Sequence, residues 1–198
     1  MLQHMKRIVP WFALLLTSCP HPSAPNGVVD SGVVDTGAND CNIDSGMVPE
    51  PPRPEVHFSP KGGCQEALIA RIRSSKKTVH VQAYTLTAKP IIDALVVAHG
   101  NGVDVQVVID SSEAKIPASP VPLLRAGSVP VFIDSKHLIA HNKVMLFDGE
   151  IVELGSYNYT NAAENDNAEN CLFLNDKSLA SSYEENWKTH QGHSTAAP

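Results

Sequence analysis

The sequence has little positive charge. Its 198 residues contain 15 Lys and Arg against 21 Asp and Glu, which gives a formal net charge of −6, and beyond residue 54 the longest basic run is Lys76-Lys77. Proteins that bind nucleic acid without sequence preference rely mainly on neutralising phosphates. The composition therefore argues against a generic nucleic-acid-binding domain, unless the few basic side chains cluster at one cleft.

A long hydrophobic run is lacking near the N-terminus. The apolar stretch at residues 8–16 is interrupted by Pro10, and it is too short to cross a bilayer as a helix, which takes about 20 apolar residues. Lys6 and Arg7 precede this stretch, and Cys19 follows it after small residues. A basic start, a short apolar region and small residues at its end are typical of a signal peptide.

This leader resembles a bacterial lipoprotein signal. We predict that residues 1–18 are removed and that the thiol of Cys19 is lipidated. Lipidated Cys19 would anchor the protein to a membrane of the bacterial cell envelope, facing the periplasm or the surface. An ordinary secretory signal with an incidental cysteine is the alternative.

Residues 19–54 lack aromatic side chains and cannot build a core. They are rich in Pro, Gly, Ser, Asn and Asp, and they repeat a Val-Val-Asp-Ser/Thr-Gly unit at residues 28–32 and 33–37. This composition predicts a disordered acidic tether. The repeats lack the twelve-residue spacing and terminal Glu of a calcium-binding loop, so we do not expect them to bind calcium.

Residues 55–198 show the periodicity of an α/β domain. Apolar residues recur at helical spacing over residues 67–72 and 91–99, and they alternate as in a strand over residues 78–87. Strands that alternate with helices predict a mixed β-sheet flanked by helices on both faces. The last predicted helix covers residues 178–190, and the residues from Gln191 onward are expected to fray. Further strands are predicted at residues 56–58, 103–110, 130–134 and 171–174.

One strand-turn-strand unit concentrates chemically active side chains. Residues 144–147 have a strand pattern, Asp148-Gly149 is a hairpin signal, and residues 151–154 form the returning strand. Residues two apart on a strand share a face, so the side chains flanking this hairpin are expected to converge at the open end of the strand pair. The converging groups are an imidazole, a cation, a hydroxyl and an amide, which suit phosphoryl transfer. They belong to His141, Lys143, Ser156 and Asn158.

The spacing of these residues resembles the signature of the phospholipase D superfamily. It runs His141-x-Lys143, then four residues to Asp148, then six residues to Gly155-Ser156-x-Asn158. The resemblance extends from about residue 56 to the C-terminus and is greatest to the single-motif bacterial endonucleases of the Nuc subgroup. It implies a phospholipase D-like catalytic domain at residues 55–198 that hydrolyses phosphodiesters without a cofactor.

The resemblance also implies roles for individual residues. His141 is the catalytic nucleophile that forms a phosphohistidine, and Glu169 matches the acidic residue that holds the other ring nitrogen of this histidine. Lys143, Ser156 and Asn158 bind the substrate phosphate. Because one chain supplies one motif, the family pattern implies a homodimer in which two copies share one active site.

Asp148 has two interpretations. Among the catalytic residues of the family motif it would orient its neighbours, whereas in an Asp-Gly hairpin it would serve only the turn. Both alternatives stay open at the level of sequence.

Cysteine is scarce, and no two cysteines have the spacing of a metal-binding pair. With Cys19 assigned to the leader, three remain. Cys171 lies in an apolar strand and is expected to be a small buried side chain. A disulfide between Cys41 and Cys64 is compatible with the sequence but has no support of its own.

The nine histidines do not predict a metal site. His137 and His141 have ligand spacing only on a helix, whereas the residues after His141 have a strand pattern, and no nearby Cys or carboxylate completes a ligand set. We therefore expect metal-independent activity, with His137 in a structural role or at the edge of the substrate site. His190 and His193 are expected to lie in a C-terminal tail.

The substrate remains open between a phospholipid headgroup and DNA or RNA. Residues 55–198 contain 12 Lys and Arg against 16 Asp and Glu, a net of −4, and this charge together with a membrane anchor favours the phospholipid. A nonspecific Nuc-type endonuclease is the alternative. A catalytically inactive surface scaffold is disfavoured because every position of the motif is intact. An apolar rim beside the site would support a lipid substrate, and a lysine-lined cleft would support a nuclease.

Overall fold

The computed structural model describes residues 53–198. The predicted signal peptide, Cys19, Cys41 and all but the last two residues of the predicted tether lie outside the described residues. Within residues 53–198, no helix combines the length and the apolar character needed to cross a bilayer.

The described residues form one eight-stranded mixed sheet. Its strand order is β1-β7-β6-β5-β2-β3-β4-β8, with β2, β3 and β4 parallel to one another and all other neighbours antiparallel. The prediction of a mixed sheet in an α/β domain is confirmed. The strands are β1 (Glu55–Ser59), β2 (Thr78–Ala83), β3 (Asp104–Asp110), β4 (Val131–Asp134), β5 (Lys143–Phe147), β6 (Ile151–Gly155), β7 (Glu169–Asn175) and β8 (Thr195–Ala196).

Helices cover both faces of this sheet. The helices are α1 (Cys64–Ser74), α2 (Lys89–Gly100), α3 (Val121–Ala126), α4 (Asn161–Asn165) and α5 (Lys177–His193), with a 3-10 turn at Glu113–Lys115. Apolar residues of α1 and α2 join the larger core cluster with the inward side chains of β2 and β3. On the opposite face, Trp187 of α5 stacks on His80 at 4.3 Å between ring centroids and donates a hydrogen bond to the Val81 carbonyl.

The C-terminal region is more ordered than its sequence predicts. Helix α5 continues to His193 rather than ending at His190, and Thr195 and Ala196 then pair with Ile133 and Phe132 of β4. The expected fraying from Gln191 is therefore wrong. A two-residue edge strand has too short a pattern to be recognised before its partner is known.

A disulfide joins Cys64 at the start of α1 to Cys171 of β7, with 6.2 Å between the Cα atoms. Both cysteines are buried. The expectation that Cys171 is an unpaired apolar side chain is wrong, and Cys64 is not available to Cys41. The two partners are 107 residues apart, and only the packing of α1 against the sheet brings them together.

Candidate active site

The site lies where β5 begins, near the middle of the sheet. Lys143 is the first residue of β5 and pairs with Ala83 at the end of β2, while the neighbouring strand β6 ends at Gly155. The backbone amide of Tyr84 donates a hydrogen bond of 2.7 Å to the Asn142 carbonyl. This register places the residues after β2, before β5 and after β6 at the same end of three adjacent strands.

His141 and Lys143 are in direct contact. The Lys143 Nζ atom lies 3.3 Å from each ring nitrogen of His141 and donates to the His141 carbonyl oxygen at 3.1 Å. Lys143 is only 8% exposed, whereas His141 is exposed. Burial lowers the pKa of Lys143, and the negative charge of Glu169 partly opposes this shift. A phosphate group at this point would meet an accessible imidazole and a fixed cation together.

Tyr84 is a residue of the site that sequence analysis missed. Its ring lies 4.7 Å from the His141 ring between centroids, and the Lys143 Nζ atom lies 5.4 Å from its centre. An aromatic face attracts a cation and restricts the neighbouring imidazole. Tyr84 directly follows β2, which pairs with β5, and this position could have indicated that it belongs to the site. The pairing of β2 with β5 was not known from the sequence.

Ser156 and Glu169 form a polar cluster beside this pair. The Ser156 hydroxyl donates to Glu169 at 2.5 Å and accepts from the Asn170 amide at 3.1 Å. The Asn167 side-chain amide donates to the other oxygen of Glu169. Within residues 53–198, the hydrogen bonds of Glu169 go to Ser156 and Asn167 and not to His141, so its role toward the histidine ring stays a prediction.

Gly155 fixes the position of Ser156. A Cβ atom at Gly155 would lie 2.1 Å from the Asn170 carbonyl oxygen, which is far closer than packed atoms approach. Only glycine lets β6 and β7 come this close. The glycine of the motif is therefore required so that the following serine can reach Glu169.

Asn158 is placed for binding but has an unused polar atom. Its Oδ1 atom is buried and has no hydrogen-bond partner within residues 53–198. Buried amide groups are nearly always satisfied. Because this oxygen accepts hydrogen bonds, its partner would be an N–H or O–H group of a substrate or of a second copy of the chain, whereas only the Nδ2 amide of Asn158 can donate to a phosphate oxygen.

The structure supports the structural alternative for Asp148. Asp148 lies at the far end of β5 from Lys143, where it and Gly149 have positive φ and form the turn to β6. Its carboxylate accepts hydrogen bonds from the backbone amides of Lys76, Lys77 and Thr78. Burial raises the pKa of Asp148, but these hydrogen bonds together lower it below its ordinary value. Grouping Asp148 with the catalytic side chains is therefore corrected: it ties the hairpin to the start of β2.

The loop between β4 and β5 forms one side of the site. Two buried carboxylates hold its backbone: Asp134 accepts from the Lys136 amide and Asp110 from the Ala140 amide, at 3.0 and 2.7 Å. Between these anchors, Leu138 is 100% exposed and Ile139 53% exposed. The loop therefore presents an apolar rim directly before His141.

Comparison with known proteins gives consistent matches. The family model described as "Cardiolipin synthase, PLD-like domain" matches residues 68–190. The chain is 35% identical to a phospholipase D of Rickettsia typhi over 150 residues, covering 75% of this chain and 74% of that protein. It is 29% identical to a mitochondrial cardiolipin hydrolase of Chlamydomonas reinhardtii over 112 residues, covering 57% of this chain and 50% of that protein.

A solved structure shows the same fold. The crystal structure of Nuc from Salmonella typhimurium, a phospholipase D family member, superposes with a TM-score of 0.71 at 35% identity and covers 75% of this chain and 99% of its own. The matched part of this chain thus corresponds to nearly the whole of that protein.

Proposed function

The chain belongs to the phospholipase D superfamily, and we propose that this phosphodiester hydrolase works without a metal, through a phosphohistidine at a site shared by two identical subunits. The observation that supports the proposal most directly is the His141–Lys143 contact of 3.3 Å at an exposed position. The polar groups of Ser156 and Asn158 stand at the same end of the sheet.

The first step is an attack by a neutral imidazole. A ring nitrogen of His141 forms a bond to phosphorus, and the bond between phosphorus and the leaving oxygen breaks. The leaving oxygen takes a proton from a second acid, and within residues 53–198 no second histidine lies against Lys143 as His141 does. His141 of a second copy would supply it.

The second step releases the product. Water attacks the phosphohistidine, the second histidine takes the proton of the water, and the phosphorus–nitrogen bond breaks. Throughout, Lys143 and the side chain of Asn158 stabilise the non-bridging oxygens. Burial of Lys143 removes competing water and so strengthens this electrostatic contribution.

The apolar rim favours a phospholipid substrate. Leu138 and Ile139 stand three and two residues before His141 and are both exposed, so they can enter the interface of a membrane while the headgroup reaches the histidine. We propose hydrolysis of a phospholipid headgroup ester to phosphatidic acid and an alcohol.

A nonspecific Nuc-type endonuclease is the second candidate. It is favoured by the match to Nuc of Salmonella typhimurium along 99% of that protein. If a second copy adds its own Lys143 to the cleft, the local positive charge doubles, and DNA or RNA phosphates could then bind despite the acidic surface.

Membrane anchoring through lipidated Cys19, in the bacterial cell envelope, is part of the proposal. The buried Cys64–Cys171 disulfide supports it, because such bonds persist in oxidising compartments outside the cytosol. Cys19→Ala should abolish palmitate labelling of the expressed chain. Labelling that persists in this variant would contradict the lipoprotein assignment.

The substrate assay compares three phosphodiesters. The full-length chain is incubated in EDTA with phosphatidylcholine vesicles, supercoiled plasmid and RNA, and His141→Ala serves as the inactive control. We expect choline release from vesicles by the wild-type chain alone. Plasmid or RNA cleavage without choline release would select the endonuclease. Loss of activity in EDTA that zinc restores, in a chain whose Tm and circular dichroism spectrum EDTA leaves unchanged, would contradict metal-independent chemistry.

A further inference from the structure

Four potential metal ligands meet outside the active site. Asp134 at the end of β4 lies against the rings of His137, His190 and His193, and the four ligand atoms all lie within 4.8 Å of one another. His190 and His193 are three residues apart on α5 and therefore share a face. The sequence analysis ended this helix at His190 and placed both histidines in a tail. It therefore did not predict that they share a helix face.

The three imidazoles converge on one carboxylate oxygen. Asp134 Oδ2 lies 3.1 Å from His137 Nδ1, 2.8 Å from His190 Nδ1 and 3.1 Å from His193 Nε2. A carboxylate oxygen has about two lone pairs, so it cannot accept a good hydrogen bond from all three rings. The other oxygen of Asp134 is already used by the backbone amide of Lys136.

The separations fit a tetrahedral ion. Four ligand atoms at 2.0–2.1 Å from zinc lie about 3.3 Å from one another. The three nitrogen atoms lie 2.8–3.1 Å from Asp134 Oδ2, and all four ligand atoms lie within 4.8 Å of one another, so small side-chain rotations bring them to these separations. Three neutral imidazole nitrogens and one carboxylate oxygen form a ligand set that zinc accepts.

Burial and access also fit a structural site. The side chain of Asp134 is fully buried and those of His190 and His193 are mostly buried, while that of His137 is 43% exposed. Burial protects bound metal from water, and the exposed histidine leaves a path by which an ion enters.

We propose that Asp134, His137, His190 and His193 bind one zinc ion per chain. The ion joins the end of β4 to the last turn of α5. It also holds His137 in the β4–β5 loop, which leads to the apolar rim and to His141. The ion is a structural clamp in this proposal, and no step of phosphodiester hydrolysis passes through it.

The direct test is metal binding by the full-length chain. The chain is stripped with EDTA, dialysed and titrated with zinc in competition with a chromophoric chelator. We expect one tightly bound zinc per chain. His190→Ala/His193→Ala should weaken the zinc affinity by about 100-fold or more, because the loss of a residue that only hydrogen-bonds a metal ligand already weakens metal affinity about 10–100-fold. His99→Ala removes a half-buried histidine of α2 that is not one of the four ligands, and it should leave the affinity unchanged.

Three further measurements keep the test independent of misfolding. His193→Gln keeps a polar side chain of similar length at the end of the helix and should also lose tight binding while retaining the wild-type circular dichroism spectrum. Cobalt(II) should give the intense visible absorption of tetrahedral coordination with the wild-type chain but not with His193→Gln. Zinc should raise the Tm of the wild-type chain only.

Three results would overturn the proposal. They are the absence of stoichiometric zinc binding by the wild-type chain, equal binding by the His190→Ala/His193→Ala variant, and octahedral rather than tetrahedral cobalt absorption. None of these readouts depends on phosphodiester hydrolysis, so failure of the zinc site and failure of the proposed function are separate outcomes.

Discussion

At the scale of single residues, the burial of Lys143 and its contacts determine how the site can bind a phosphate group. Its cation lies beside both the ring of His141 and the face of Tyr84, and burial lowers its pKa. The negative charge of Glu169 opposes this lowering and so favours the protonated form of Lys143, in which it donates to phosphate oxygens.

Glu153 is a second buried ionisable residue, outside the site. Its carboxyl accepts a hydrogen bond of 2.8 Å from Tyr159, and burial raises its pKa from 4.5 to about 8. The folded chain therefore keeps a proton on Glu153 that the unfolded chain releases. By linkage, the free energy of unfolding falls as the pH rises from about 4.5 to about 8.

Glu153→Gln should remove this dependence. The amide keeps an acceptor for Tyr159 and has no charge to desolvate, so the variant should gain stability relative to the wild-type chain as the pH rises. The measurement is the urea midpoint of both chains at about pH 5 and about pH 8. Parallel changes in the two midpoints would mean that Glu153 titrates normally in the folded chain.

Sequence analysis identified the residues of the site better than their contacts. His141 and Lys143 were predictable as partners because two residues on one strand share a face. Glu169 was assigned to His141, and the β6–β7 pairing brings it to Ser156. Tyr84 was missed for the same reason, since its contact depends on which strand lies beside β5.

At the scale of elements, the β4–β5 loop should set access to membranes. We predict that Leu138→Ser/Ile139→Ser weakens binding to phosphatidylcholine vesicles about tenfold or more, because two exposed apolar side chains can no longer enter the interface. Hydrolysis of a small soluble phosphodiester should be unchanged, since neither side chain is one of the reacting groups.

The control for the loop variant is Val97→Ser on α2. Val97 is 55% exposed, as Ile139 is at 53%, but lies on a helix away from the motif strands. It should bind vesicles like the wild-type chain. Equal vesicle binding by the loop variant and the wild-type chain would contradict a role of the apolar rim in substrate access.

The Cys64–Cys171 disulfide links two elements that are distant in sequence, α1 and β7. Because it closes a long loop in the unfolded chain, we predict that Cys64→Ser/Cys171→Ser lowers the free energy of unfolding by about 2–5 kcal/mol. The measurement is chemical denaturation of both chains. Dithiothreitol should lower the stability of the wild-type chain by a similar amount and leave the variant unchanged, and an equally stable variant would contradict this account.

The sequence predicted the elements that have a strong hydrophobic periodicity. It did not predict the elements that form only because of contacts with distant parts of the chain. Helix α2 was expected at residues 91–99 and spans Lys89–Gly100, because its caps and apolar spacing are local features. The last turn of α5 and the edge strand β8 have no such local signal. They form because β4 offers an unpaired edge and Asp134 a charged partner.

At the scale of the whole molecule, the single chain supplies half of the reacting groups that the proposed mechanism requires. It has one exposed histidine beside a buried lysine, and the Oδ1 atom of Asn158 lacks a partner within the part of the chain that the structure describes. A two-fold arrangement of two copies would bring two such sets to one phosphorus atom. The account therefore predicts that inactive and active chains interfere with each other.

The measurement is the activity of mixed dimers. Wild-type and His141→Asn chains with different affinity tags are co-expressed in equal amounts, and hybrid dimers are isolated by sequential purification. Hybrids should be nearly inactive, so that a random equal mixture retains about a quarter of the wild-type activity per chain pair. Hybrids with about half of the wild-type activity, or a fully active monomer, would contradict the shared site.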